Sequence, residues 1–166
     1  MSKNKEILKT LSLHPLQAYL TDKIQLFNII EEILTQIGPS NIRITSFSIS
    51  EEFIRSMYKM KRKGLILNSD LIIDTRASLK ISQIMPFACN VFDGIYLSNN
   101  HSKVLLFDND IFKVSVCTSQ NQTRGNRNES GIITTDQQIF YQYKESINEI
   151  IIHAIDARNI LTGVIR

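Results

Sequence analysis

Between Pro15 and Ile37 the apolar side chains Leu16, Leu20, Ile24, Phe27, Leu34 and Ile37 recur at three- to four-residue spacing, which predicts one helix stopped by Gly38-Pro39. Asn41 to Ser50 (NIRITSFSIS) alternates instead, and its β-branched content predicts a strand. Ser50-Glu51-Glu52 then opens a second helix with Phe53, Met57 and Met60 inward. Lys59, Lys61, Arg62 and Lys63 close it before Gly64, where cations suit the negative end of the helix dipole. Leu65 to Asp74 is apolar but broken at Asn68-Ser69-Asp70, so a strand is expected over Leu71–Asp74 or longer. Ser78 to Met85 is a weaker helical candidate ahead of Pro86. Gly94–Leu97, Lys103–Phe107, Lys113–Cys117 and Gly131–Thr134 read as short strands. A closing helix from Gln137 to about Asn159 puts Phe140, Tyr143, Ile147, Ile150, Ile151 and Ala154 on one face. The predicted order α-β-α-β-α-β-β-β-β-α is mixed α/β, with no internal repeat.

Composition narrows the picture. A chain of 166 residues with 43% hydrophobic content is long enough for one core and short for two, so a single domain over 1–166 is expected. Three prolines and six glycines exclude collagenous or linker-like character. A formal net charge of +3 permits a phosphate-bearing partner without demanding one. Cys89 and Cys117 form no CxxC pair and lie in apolar stretches, which reads as two reduced core thiols. The first residues lack an apolar leader segment, and no stretch is long and apolar enough to span a bilayer. A soluble cytoplasmic protein without stable membrane association is therefore expected.

The candidate chemistry centres on one of three histidines. His14 precedes a proline and reads as a surface or capping residue; His153 reads as part of the closing helix. His101 stands in His101-Ser102-Lys103-Val104-Leu105-Leu106-Phe107-Asp108, a His-x-Lys-x4-Asp spacing. Residues two apart on an extended chain share a face, so the imidazole and the ammonium point at one ligand. That pair suits a phosphate: the lysine neutralises anionic oxygens, and the histidine attacks phosphorus or moves a proton near neutral pH. Downstream come Thr118-Ser119-Gln120-Asn121 at the end of the next strand, and then Glu129.

This ordered set resembles the phospholipase D superfamily, whose signature is His-x-Lys-x4-Asp, a Gly-Ser-x-Asn segment and a later acidic residue. The resemblance is tight from about Asn100 to Thr134 and extends loosely over most of the chain. It implies a phospholipase D-like α/β fold, a mixed β-sheet flanked by helices on both faces. It also implies that His101 is the nucleophile, that Lys103, Ser119 and Asn121 hold phosphoryl oxygens, and that Glu129 orients the imidazole. Asp108 completes the catalytic motif, with a more structural role in tying down the turn after the strand. No metal or other cofactor is implied, because side-chain donors replace a cation in stabilising the transition state.

Three departures are visible. Thr118 stands where the family commonly has glycine, which adds a side chain beside the phosphate, and nine residues separate Asp108 from Thr118, which a longer hairpin at Asn109-Asp110 absorbs. There is also one His-x-Lys motif, whereas the reaction uses two histidines. Single-motif members of the superfamily solve this by homodimerising, so the resemblance implies a symmetric dimer in which each subunit lends His101 to a shared site.

The motif specifies phosphodiester chemistry and leaves the substrate open. Arg55, Lys59, Lys61, Arg62 and Lys63 form one basic window, and Lys113, Arg124 and Arg127 add charge around the motif, which favours a nucleic acid, DNA or RNA. A solvated helix end is the bland reading of the first cluster. Arg124 and Arg127, between Asn121 and Glu129, are candidate substrate contacts. The expected activity is that of a homodimeric endonuclease working through a phosphohistidine. The alternatives are a phospholipid phosphodiesterase, and a nucleic-acid-binding module of the same fold without turnover.

Overall fold

The helical spacing of the first predicted helix holds only from Leu26 onward in the computed structural model, which describes residues 8–78, 82–123 and 127–161. Leu26, Ile29, Ile30, Ile33, Leu34 and Ile37 are all buried on one stripe of α1 (Leu26–Ile37). The preceding Leu16–Thr21 is a strand, β1, paired antiparallel along its whole length with β7 (Glu129–Thr134). Leu16 and Leu20 misled because a spacing of four satisfies the helical period and the strand period alike. As a strand they share the solvent face, where they are 69% and 75% exposed.

Strand β2 (Ser40–Ser46) is shorter than its pattern suggested; the chain turns at Phe47 and Ser50 caps α2 (Glu51–Arg62) by accepting from the Phe53 amide. Phe53, Met57 and Met60 are buried as expected, together with Ile54. Strand β3 (Ile66–Asp74) runs straight through the polar break, because Ser69 finds a partner: its amide and its hydroxyl both donate to Asp93. A four-residue α3 (Thr75–Ser78) follows, and α4 (Met85–Val91) begins where the predicted helix was to end. Pro86 stands in the first turn of α4, where its missing N–H costs nothing, so it starts a helix instead of stopping one. Strands β4 (Gly94–Ser98), β5 (Val104–Asp108) and β6 (Lys113–Thr118) fall close to expectation, as does β7. The closing helix, α5 (Gln137–Ile152), is shorter than expected; β8 (Ile155–Asp156) and α6 (Ala157–Leu161) take the remainder.

One eight-stranded sheet results, in the order β1-β7-β6-β5-β2-β3-β4-β8. Strands β2, β3 and β4 are parallel; β5, β6, β7 and β1 continue from β2 as an antiparallel meander, and β8 adds an antiparallel edge beside β4. Helices cover both faces. Leu105 and Phe107 of β5 join the larger core with α1 and α2, while Val104 and Leu106 turn to Phe140 and Ile147 of α5. Among the described residues no helix is long and apolar enough to cross a membrane.

Both cysteines are free thiols, but Cys117 is exposed and Cys89 only half-buried, against the expectation of two core residues. Alternation along β6 turns Val114 and Val116 inward and leaves Cys117 on the opposite face, near the limit of what α5 covers.

At the β1–β7 pairing the Tyr19 ring lies over Gly131, its register partner, and a Cβ built there meets the ring at 2.5 Å. The Tyr19 hydroxyl is meanwhile pinned to Thr118 at 2.7 Å. Gly131→Ala is therefore expected to displace the ring and cost about 1–3 kcal/mol. Urea denaturation checks this, with the penalty reduced in a Tyr19→Ser background.

Candidate active site

Strands β2, β3 and β4 end at Ser46, Asp74 and Ser98, and the antiparallel arrangement brings the start of β5, the end of β6 and the start of β7 to the same edge of the sheet. Carboxyl ends of parallel strands, next to a change in strand direction, are where open α/β sheets place ligands. Of the side chains singled out by the resemblance, His101, Lys103, Ser119, Asn121 and Glu129 gather there and Asp108 does not.

The segment 99–103 carries His101 across this edge, and its neighbours are tied down. The Asn100 amide donates to buried Asp74 (3.1 Å), and its side-chain nitrogen donates to the Ser46 carbonyl (3.3 Å). The Asn100 side-chain oxygen Oδ1 accepts from the Ser102 amide (3.2 Å) and hydroxyl (2.6 Å). Buried Thr45 bonds the Ser102 hydroxyl at 2.8 Å and accepts from the Val104 amide at 2.9 Å. With both flanks held, the His101 side chain is left exposed, its ring against Phe47 at a centroid distance of 5.3 Å. Lys103 folds back toward it: Nζ donates to the His101 carbonyl at 2.7 Å and stands 3.4 Å from Nδ1. Partial burial lowers the Lys103 pKa from its ordinary value, while the negative charge of Glu129 acts in the opposite sense.

Ser119 and Asn121 leave the end of β6 on a loop that is equally anchored. The Ser119 amide donates to the Ser130 carbonyl (2.9 Å), the Ser130 amide donates to Ser119 Oγ (3.1 Å), and Ser119 Oγ donates to Glu129 Oε2. The Asn121 carbonyl oxygen accepts from the Phe47 amide at 3.2 Å, which leaves its NH2 group available to a ligand oxygen. Ser46 Oγ accepts from the Gln122 amide, and the Gln122 carbonyl accepts from the Ser50 amide. These bonds lace the motif loop to the β2–α2 turn, so Asn121, Phe47 and His101 stand in sequence along one edge. The expected link from Glu129 to the imidazole is absent; Glu129 accepts from Ser119 instead.

Thr118 does not crowd the site. Its hydroxyl donates to the Ser130 carbonyl (2.9 Å) and meets the Tyr19 hydroxyl, so it turns toward β1 and away from Ser119. The extra residues after Asp108 form a hairpin loop in which the Asn109 side chain accepts from the Ile111 and Phe112 amides.

Asp108 lies elsewhere. The length of β5 separates it from the site edge by about 13 Å at the rise of an extended strand, and it pairs with Lys144 at 3.4 Å. It stands apart from the residues gathered at the site edge. The basic window is also turned away. Ser50 at the start of α2 is on the site edge, so Lys59 to Lys63 stand about 14 to 20 Å along the helix from it. Arg55, Lys61 and Lys63 are paired with Glu51, Asp93 and Glu31. Lys113 stands at the same far end as Asp108, its register partner. Arg127 is exposed between Asn121 and Glu129, and Arg124 lies outside the described residues.

Sequence reasoning missed the supporting residues Thr45, Ser46, Phe47, Asp74, Arg76 and Asn100. Asp74 carried a faint signal, a carboxylate closing an apolar run.

Salmonella typhimurium Nuc, a phospholipase D family member, superposes with a TM-score of 0.68 at 15% identity over 85% of this chain and 96% of its own. The chain has the phospholipase D fold. NucT from Helicobacter pylori is similar at a TM-score of 0.66 and 12% identity, over 85% of this chain and 98% of its own. TrmBL2, an archaeal chromatin protein with a novel mode of DNA binding, matches at 0.59 and 14% identity over 89% of this chain but 56% of its own. No family model and no curated protein sequence matches the chain.

The network makes an acid-stability prediction. Hydrogen bonds from Arg76 hold the pKa of Asp74 below the ordinary carboxylate value. The unfolded chain therefore binds that proton more tightly, so stability rises with pH, is complete above about pH 4 and is lost as pH falls through the folded value. In urea titrations below pH 4, Asp74→Asn is expected to show a shallower pH dependence than the wild type.

Proposed function

We propose that the protein is a phosphodiesterase that cleaves nucleic acid without a metal, as a homodimer. The observation that carries this reading is the exposed His101 ring backed by Lys103, with Ser119, Asn121 and Glu129 on the same edge of a phospholipase D fold. In this reading Nε2 of His101 attacks phosphorus, because Nδ1 faces Lys103. The phosphorus–oxygen bond to the leaving strand breaks as the nitrogen–phosphorus bond forms, and the departing oxygen takes a proton from a second imidazole. Water then hydrolyses the phosphohistidine, returning that proton to the second imidazole. Lys103, Ser119 and the Asn121 NH2 group stabilise the equatorial oxygens, and Glu129 balances the imidazolium charge. One chain supplies one His101, so the second comes from another copy, with the two rings titrating as a coupled pair. Nucleic acid is favoured as substrate by the fold's resemblance to Nuc, to NucT and to a DNA-binding chromatin protein.

Cleavage of single- and double-stranded DNA and RNA in excess EDTA is the direct test, with a phosphatidyl substrate in parallel. Wild type is expected to cut nucleic acid with a bell-shaped pH profile, and His101→Ala to lose about 10³-fold or more in rate while folding normally. Asn121→Ala is expected to lose about 10²-fold or more, as for other transition-state donors. Sedimentation is expected to give twice the 19.0 kDa chain mass. Full activity of His101→Ala, or turnover of the lipid alone, refutes the reading.

A further inference from the structure

Lys59 to Lys63 at the end of α2 and Lys113 at the start of β6 lie away from the site edge, yet the fold brings another cation to it. Arg76, just past the end of β3, lies over the Phe47 ring with Cζ 5.8 Å from the centroid, and the same ring contacts His101 at 5.3 Å. Its side chain is 70% exposed, whereas Asp74, which holds it, is fully buried. The grip is two-pronged: Nε donates to Oδ1 at 3.0 Å and Nη2 to Oδ2 at 3.1 Å.

The pair is asymmetric: its carboxylate is buried while its guanidinium stays in solvent. Here Asp74 already has two backbone donors, the amides of Arg76 (2.8 Å) and Asn100 (3.1 Å), and the guanidinium is held at the surface by one side of its fork. Nη1 has no partner among the described residues, so the outward side presents aligned donors of the kind that take a phosphate bidentately. The carboxylate that aims Arg76 also holds the backbone beside His101, so the two groups are set relative to each other by a buried anchor.

We propose that Arg76 binds the phosphate adjoining the scissile one on the same strand, with Phe47 as the spacer between the two positions. This rests on the nuclease reading and adds a subsite to it. A substrate with a single phosphate cannot use that subsite, whereas an oligonucleotide can.

The test compares Arg76→Gln, which keeps a hydrogen-bond donor toward Asp74, and Arg76→Lys, which keeps the charge but loses the fork. Circular dichroism and urea midpoints establish folding. In a His101→Ala background, anisotropy of a fluorescein-labelled single-stranded oligonucleotide is measured across salt. Arg76→Gln is expected to weaken binding about tenfold and reduce the salt slope by about one, while Arg76→Lys retains the slope. In the active protein, Arg76→Gln is expected to lose about ten times more kcat/KM on the oligonucleotide than on bis(p-nitrophenyl) phosphate. Equal losses on the two substrates, or unchanged affinity and slope, overturn the proposal. If the wild type cleaves no diester while Arg76→Gln still weakens binding, the nuclease reading falls and the phosphate subsite stands. If the oligonucleotide does not bind at all, both fall.

Discussion

Strand β5 runs antiparallel against β2, and the candidate site depends on that pairing. With Ile44 opposite Leu105 and Asn41 opposite Asp108, the start of β5 comes to the edge where β2, β3 and β4 finish. The chain must then pass from β4 to β5 across the ends of β3 and β2, three strand spacings or about 14 Å. Only residues 99–103 make that crossing. Extended, the six steps from Ser98 to Val104 reach about 20 Å, so the link has little slack. His101 is in the middle of it.

A link of that kind exposes backbone groups to a partly buried environment, where each unpaired one costs about 1–3 kcal/mol. The chain answers with buried polar side chains at the strand ends: Thr45 and Ser46 from β2 and Asp74 from β3, with Asn100 from the link itself. Such a network is rigid because every member is needed by another. The His101 side chain is the exposed exception, held from both flanks with its ring against Phe47. Rigid support beneath an exposed side chain limits how much geometry a ligand has to arrange on binding. The motif loop from Ser119 to Gln122 is fastened in the same way to the β2–α2 turn, which fixes the spacing between the imidazole and the donors that would face it.

The charge distribution follows from the same architecture. Residues at opposite ends of one strand or helix are adjacent in sequence and far apart in space, which is why Asp108 closes the motif yet leaves the site, and why Lys59 to Lys63 contribute nothing to it. Arg76 is the converse: remote from the motif in sequence and one aromatic ring away from His101 in the fold.

The sequence by itself determined the local elements whose periodicity was unambiguous, namely α2, the strands β4 to β7 and the start of α5, and it displayed the five polar residues of the edge in order. It also supported an α/β sheet with helices on both faces. It could not separate strand from helix at Leu16 and Leu20, since side chains four apart share a face in either form. It could not find Asp74, Asn100, Phe47 or Arg76 either, because their roles exist only where separate strand ends meet. Tertiary structure decided those, as well as the far placement of Asp108 and the basic window. The physical reason is that local pattern reports which face a residue occupies, whereas the neighbours across a sheet edge are set by strand order and direction, which no single segment encodes.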